Sequence, residues 1–416
     1  MERYPIPSNC VGNIIGKGGC NIKRIKQESG ATCNVKDEYV EIKGSKVQRD
    51  HAKRLIRSCV NNSIKVYSHP EIAILSFVVD SKNHDIKFVP FGHEGRSSNH
   101  INRDLYVAKL LDNDQSDDLS SKLSGLNLSK SEINLVKEHG LCLYNSCKEE
   151  IMDKIMLELI RIAKMQKVEG SASVDKVKVT TYIGTTTFYN SKKNRLISGQ
   201  SIPLSTVLNY KIGIEGDMKV TFNNAVRKNT YNDFVEHNSW GEPIESEHFV
   251  MHLADNEQNE RLSITLEHTG DELKLRKYKT KKQMTLYLNL INIGHQVEKY
   301  DVRFVISKCC VGPAPENISR FISSLTFNRM KNEIMVPSNS RYCVDVTRRN
   351  SRKRYRNGSY QMNCCKVEND GLTQHEIELL DVELNTYIRQ ANIDEIRARD
   401  AVSNLIQRSI QLTDQI

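Results

Sequence analysis

The chain has 416 residues, room for two to four domains at roughly 100–200 residues each. Hydrophobic residues make up 38% and charged residues 27%, no stretch approaches the roughly 18 consecutive apolar residues of a membrane span, and Met1-Glu2-Arg3-Tyr4-Pro5 opens without an apolar h-region, so the expectation is an intracellular protein with no membrane partner. The net charge of +9 is uneven: residues 1–63 hold twelve Lys/Arg against six Asp/Glu, a net of +6, which leaves about +3 for the other 353 residues and points to an acidic partner for the amino-terminal segment.

Taken in order, Tyr4-Pro5-Ile6 reads as a short strand entering a turn. Cys10 to Ile15 is a brief helical stretch, broken by Gly16-Lys17-Gly18-Gly19. Cys20 to Ser29 is a second helix, with Ile22 and Ile25 apolar and Gly30 closing it as a helix C-cap does. Thr32 to Val35 and Tyr39 to Lys43 are strands around a tight turn, and Val47 to Val60 is a third helix with Ala52, Leu55, Ile56 and Cys59 on one face. The predicted order is βααββα.

Beyond residue 63, Ile72 to Asp80 and Asp85 to Phe91 alternate like strands. Asn113 to Lys130 and Glu169 to Ser173 read as linkers. Ser146 and Glu149 form a capping-box pattern for a helix reaching about Lys167. From Val177 to about Cys310 the pattern is mostly short strands, which predicts an antiparallel sandwich or barrel. Ile318 to Met330 reads as helix, and Tyr342 to Thr347 with Tyr360 to Val367 as a hairpin whose basic tip is Arg348 to Gly358. Leu372 to Leu412 reads as helix. The expected fold class is α+β: a small amino-terminal domain over 1–63, an α+β segment over 64–170 with a strand hairpin and a long helix, and a mainly antiparallel β region with carboxy-terminal helices over 171–416.

The run Val11-Gly12-Asn13-Ile14-Ile15-Gly16-Lys17-Gly18-Gly19-Cys20-Asn21-Ile22 resembles the signature of the K-homology (KH) family, most of all the type I domains of poly(C)-binding proteins and vigilin. The resemblance covers about residues 3–60, roughly one seventh of the chain. Its specificity lies in context: the Gly-x-x-Gly joins two helices, follows two aliphatics and precedes Ile22 by three residues. The residues support the same reading. A glycine loop that opens a helix leaves backbone N–H groups without partners, and these bind phosphate with help from the helix dipole. Gly18 and Gly19 allow close approach, and Lys17 and Lys23 add charge. The resemblance implies an apolar groove beside the loop, from Val11, Gly12, Ile14, Ile15, Gly16, Ile22 and the following strand at Cys33, which clamps about four unpaired nucleotides. Cys33 stands where the family has a larger aliphatic, so base preference is not carried over. Gly-Lys-Gly-Gly also suits an ordinary interhelical turn.

Other signals are weaker. Arg348, Arg349, Arg352, Lys353, Arg354 and Arg356 form the densest basic run, open to three readings: an auxiliary phosphate contact, a nuclear import signal or a solvated tip. Arg348-Arg349-Asn350-Ser351 also fits a basophilic kinase. Lys274 to Lys282 holds six basic residues around Tyr278 and fits a charged edge strand better than an RNA contact. Eleven cysteines without Cys-x-x-Cys spacing indicate thiols rather than disulfides or zinc. No catalytic signature and no metal or cofactor site emerges; His248 and His252 would need a helix to share a metal, and Asp255, Glu257 and Glu260 have no evident partner. The carboxy-terminal apolar stripe suits core packing first and a protein partner second. The reading is a single-stranded RNA-binding adaptor, with single-stranded DNA as the other ligand. The alternatives are an RNA-processing enzyme with its active site in 64–416, which requires convergent carboxylates or histidines in the folded chain, and an assembly scaffold tethered to RNA.

Overall fold

A computed structural model describes residues 2–6, 11–16, 19–36, 39–63, 72–79, 84–91, 105–111, 140–165, 174–190, 201–209, 218–255, 260–269, 272–293, 300–311, 313–328, 330, 333–337, 340, 342–369, 372–388 and 393–416. Both linker candidates, 113–130 and 169–173, lie outside them, as do Lys17 and Gly18.

The first elements are β1 (Glu2–Pro5), α1 (Val11–Ile15), α2 (Cys20–Ser29), β2 (Thr32–Val35), β3 (Tyr39–Lys43) and α3 (Lys46–Ser63). Next come β4 (Ile72–Phe77), β5 (Asp85–Pro90), β6 (Tyr106–Leu110), β7 (Gly140–Leu143), α4 (Tyr144–Met165), β8 (Val174–Asn190), β9 (Ser201–Pro203), α5 (Leu204–Val207), β10 (Met218–Asn223) and α6 (Lys228–His237). Then follow β11 (Ile244–Asp255), β12 (Glu260–Thr269), β13 (Glu272–Ile291), β14 (Asp301–Val311), α7 (Glu316–Ser324), β15 (Thr326–Asn328) and β16 (Glu333–Met335). The chain closes with β17 (Tyr342–Asn357), β18 (Tyr360–Asn369), β19 (Leu372–Asp381), α8 (Val382–Tyr387) and α9 (Glu395–Thr413). The fold is mixed α+β and rich in strands, with a helix at its carboxy-terminal end. Among the described residues no helix is long and apolar enough to cross a membrane.

The chain divides into two compact units, residues 1–68 with 250–280 and 314–347, and residues 69–249 with 281–313 and 348–416. In the first, β1, β3 and β2 form an antiparallel sheet in that order. Ile14 and Ile25 from the helices meet Cys33, Val40 and Ile42 from the sheet and Ala52 and Ile56 from α3 in one core. The helical spacing of these residues buries one face of each helix, which is what makes so short a segment pack.

In the second unit β17, β18, β19, β8 and β14 are consecutive antiparallel neighbours, and β13 follows β14. β4 then pairs with β13 in parallel, and β7 with β4. The large sheet is therefore mixed, which the alternation within single strands did not reveal. Side chains alternate between its faces. One row runs Cys364, Ile377, Ile183, Val302, and the next on the same face runs Met362, Leu379, Thr181, Phe304. This apolar face joins the core that holds Ile155 and Leu159 of α4 and Val402 and Leu405 of α9.

Three expectations need correction. Leu372–Asp381 is a strand and not the start of a helix, because pairing along its length with β18 outweighs the helical preference of its Leu and Glu residues. The basic run is not a hairpin tip: β17 continues to Asn357, and the turn is only Gly358-Ser359. Helix α7 also stops at Ser324, short of the expected Met330, where the chain enters β15.

Candidate nucleic-acid and anion interface

The α1–α2 turn begins where the Gly16 N–H donates to the Gly12 carbonyl at 2.8 Å, closing α1. Gly16 has φ 74° and Gly19 φ 77°, both left-handed. A Cβ on Gly16 would stand 2.8 Å from Cys20 Sγ and 2.9 Å from the Asn21 backbone nitrogen, so the turn admits no side chain there. Gly19 sits at the N-cap of α2 without a capping side chain, which leaves the first N–H groups of a ten-residue helix available to a ligand. Ile15 is exposed, Val11 and Ile22 are half-buried and Lys23 is exposed, so these four border the turn. Ile14 and Cys33 are fully buried in the core instead; they set the floor of any groove from beneath and present no atoms to a ligand. Burial raises the Cys33 thiol above its ordinary range.

A second constellation lies on the other face of the large sheet, and the sequence did not suggest it. Read through the registers, one row crosses five strands: Arg354, Asn363, Glu378, Tyr182 and Arg303. The adjacent row holds Arg352, Cys365 and Glu376. A polar face of a sheet normally meets water, yet Asn363 and Glu378 are buried. Glu378 is hydrogen-bonded to Lys178 of β8 and accepts from Asn363 Nδ2 at 2.8 Å. Burial alone would raise its carboxyl, but Lys178, then Arg352 and Asn363, outweigh burial and hold it at about 2. Glu376 has the opposite balance: burial and the neighbouring Glu378 raise it against the pull of Arg348, Asn224 and Arg352, and it keeps partial solvent access. Burial, Glu378 and Glu376 together push the Tyr182 phenol up. Arg352 Nε donates to Cys365 Sγ at 3.3 Å; burial opposes its charge, but Cys365, Glu378 and Tyr182 favour it more. Burial pushes the Cys365 thiol to about 11. Two carboxylates with divergent proton affinities, a lysine and several arginines thus converge on one buried face, an arrangement suited to holding phosphate oxygens and a counter-cation.

The basic run divides by parity. Arg348, Arg352, Arg354 and Arg356 share the side of this polar face. Arg349 and Lys353 lie on the opposite one, where Arg349 is ion-paired with Glu247 and Glu368, and Lys353 with Glu245 at 3.1 Å. Only Arg356, beside the turn, is exposed. Ser351 pairs with Lys366 inside β17, which withholds it from a kinase that needs a free extended segment. β11 is a strand, so His248 and His252 are not on successive helical turns. Among the described residues no three His, Cys, Asp or Glu side chains group as metal ligands.

Helical and strand assignments of single segments could not reveal the polar face, because Lys178 and Glu378 are 200 residues apart. One local signal existed: in Gln374-His375-Glu376-Ile377-Glu378-Leu379 polar and apolar residues alternate with period two from Glu376 onward.

Two solved structures match over 64% of this chain at 14% identity: the S. pombe RNA triphosphatase in complex with the Spt5 CTD, with a TM-score of 0.41 and 94% of that chain covered, and the same S. pombe RNA triphosphatase, with a TM-score of 0.40 and 93% covered. The family model of the KH domain matches residues 1–58, the segment that carries the glycine turn, and this part of the chain is a KH domain.

Proposed function

We propose that the chain binds single-stranded RNA through its KH domain, with single-stranded DNA as a weaker ligand. The observation that carries this reading is the left-handed glycine turn that opens α2 without a side-chain cap. Phosphates meet the free N–H groups there, and unstacked bases lie along Val11, Ile15 and Ile22. Replacing Lys17 and Gly18 together by aspartate puts two negative charges on the loop. Affinity for short single-stranded RNA is expected to fall at least about tenfold, with the melting temperature unchanged, because the added charges repel the phosphates. Fluorescence anisotropy with labelled ten-nucleotide RNAs tests this; equal affinity in wild type and variant refutes it.

A second reading is favoured by the buried polar face. On it, the chain is an RNA-processing enzyme, and its second unit acts on a phosphate-rich group such as the 5′ polyphosphate end of RNA. Lys178, Arg348 and Arg352 hold phosphate oxygens. Glu376, whose carboxyl is raised and partly accessible, serves as general base or as a ligand to a hydrated divalent cation, an ion for which one or two carboxylates with substrate phosphates suffice. Glu378, tied to Lys178 and Asn363, positions the lysine. The full chain incubated with 5′-triphosphorylated RNA and magnesium is expected to release inorganic phosphate, and Glu376→Gln is expected to slow release at least about a hundredfold. If the wild-type chain releases none, the protein acts by binding alone; if the variant matches a wild type that does release it, Glu376 takes no part in the reaction.

A further inference from the structure

Arg303 is surrounded in an unusual way. Its guanidinium lies between the rings of Phe222 and Tyr287, with centroid distances of 4.5 and 4.4 Å. Its Nε donates to Asn289 Oδ1 at 2.7 Å. Burial lowers it to about 10, and the groups that counter burial are the phenols of Tyr287 and Tyr182; no carboxylate among the described residues contributes. Asp301, two residues away, commits one carboxyl oxygen to the Thr186 N–H at 2.6 Å and the other to the Asn292 N–H at 2.8 Å. A desolvated cation without a counter-ion is costly, and two aromatic faces offset only part of that cost. The rings and Asn289 fix the plane of the guanidinium, and its terminal nitrogens make no hydrogen bond to a described residue.

Arg303 also stands in a defined place. It is opposite Tyr182, which is opposite Glu378, the partner of Lys178. The strands that carry Arg303 and Glu378 are therefore two spacings apart, about 10 Å. A single phosphate group is shorter than that span. A linear chain of three phosphates has a length of that order.

We infer that Arg303 sets the length of phosphate chain that this face accepts, by supplying the anion contact that a third phosphate reaches and a second does not. The inference rests on the phosphate-binding reading above.

Calorimetric titration of the full chain with orthophosphate, pyrophosphate and tripolyphosphate, each with magnesium, tests it. The wild type is expected to bind tripolyphosphate at least about tenfold more tightly than pyrophosphate, the value of one charge-assisted contact. Arg303→Gln is expected to abolish that step and leave pyrophosphate binding unchanged. Arg303→Lys, which keeps the charge and loses the planar fork, is expected to retain a reduced step. The melting temperature of Arg303→Gln should not fall, since the substitution removes an uncompensated charge. If the wild type discriminates by length and Arg303→Gln discriminates equally, or if Arg303→Gln weakens all three ligands alike, the inference fails while the phosphate site stands. If the wild type binds none of the three, the site itself is refuted and the inference with it.

Discussion

Gly184→Ala is expected to destabilise the second unit by about 3 kcal/mol or more, lowering its melting transition by roughly 6–12 °C. Gly184 lies in β8 opposite Asp301. A Cβ built there would come within 2.2 Å of the Asn223 carbonyl oxygen, 2.8 Å of the Asn224 Cα and 2.8 Å of the Phe222 ring. Two of those three atoms are backbone, so no rotamer change relieves the overlap, and the end of β10 with the residue after it must move bodily. Phe222 at the end of β10 stacks on Arg303, and Asn224 just after it hydrogen-bonds Glu376, so both contacts move with the displaced backbone. The substitution should therefore disturb the polar face and the stability together. Gly12→Ala is the control: nothing lies within 4 Å of its added Cβ, and the residue is helical, so a neutral or slightly favourable change is expected there. Circular dichroism melting of both full-length variants decides the matter, and equal melting temperatures would refute the steric account.

Glu378→Gln is expected to cost about 3 kcal/mol at neutral pH, near the lower end for a broken buried pair. Lys178 keeps 38% side-chain exposure and so regains some hydration, which argues against the upper end. The dependence on pH separates this cause from simple loss of packing. In the wild type the folded carboxyl titrates at about 2, below its ordinary 4.5. A lowered folded value means that the carboxylate stabilises the fold above pH 4.5 and that this contribution disappears as pH falls from there toward 2. Glutamine has no such titration. The gap between wild type and variant, measured by urea unfolding, should be widest at pH 6–7 and should narrow steadily below 4.5. A gap of constant size from pH 7 to pH 3 would mean that the amide disturbs packing and that the ion pair contributes little.

The KH domain was legible from sequence because its determinants are local. Gly16, Gly19 and Gly30 bound helices of five and ten residues, and the core residues Ile14, Ile25, Ala52 and Ile56 all fall within sixty residues. The second unit was not legible in the same way. Leu372–Asp381 contains Ile377 and Leu380, spaced as on a helix and continued by Leu384 and Ile388, so its local pattern agreed with two structures; ten cross-strand pairs with β18 selected the strand. The density of Arg348 to Arg356 suggested an exposed tip, since charge in bulk usually faces water. In the folded chain the acids of β11, β18 and β19 lie opposite those cations, and only the registers bring them there. Glu376 and Glu378 were overlooked for the same reason: their partners Lys178, Arg348 and Arg352 come from other strands, and no motif spans such distances.

The parity of β17 makes its length matter more than its composition. Successive residues face opposite sides, so a single deletion between Tyr342 and Arg348 would exchange the two sides for the whole basic stretch. Arg348, Arg352 and Arg354 would turn toward Ile377 and Ile183 on the apolar side, stranding three guanidiniums in the helix-packed core, while Lys353 and Tyr355 would face the carboxylates. Point substitutions remove one contact at a time; a frame slip of one residue removes all of them and adds the desolvation of three charges. An insertion or deletion of two residues restores the facing of every side chain, and a single added residue keeps it only where a bulge absorbs the extra position.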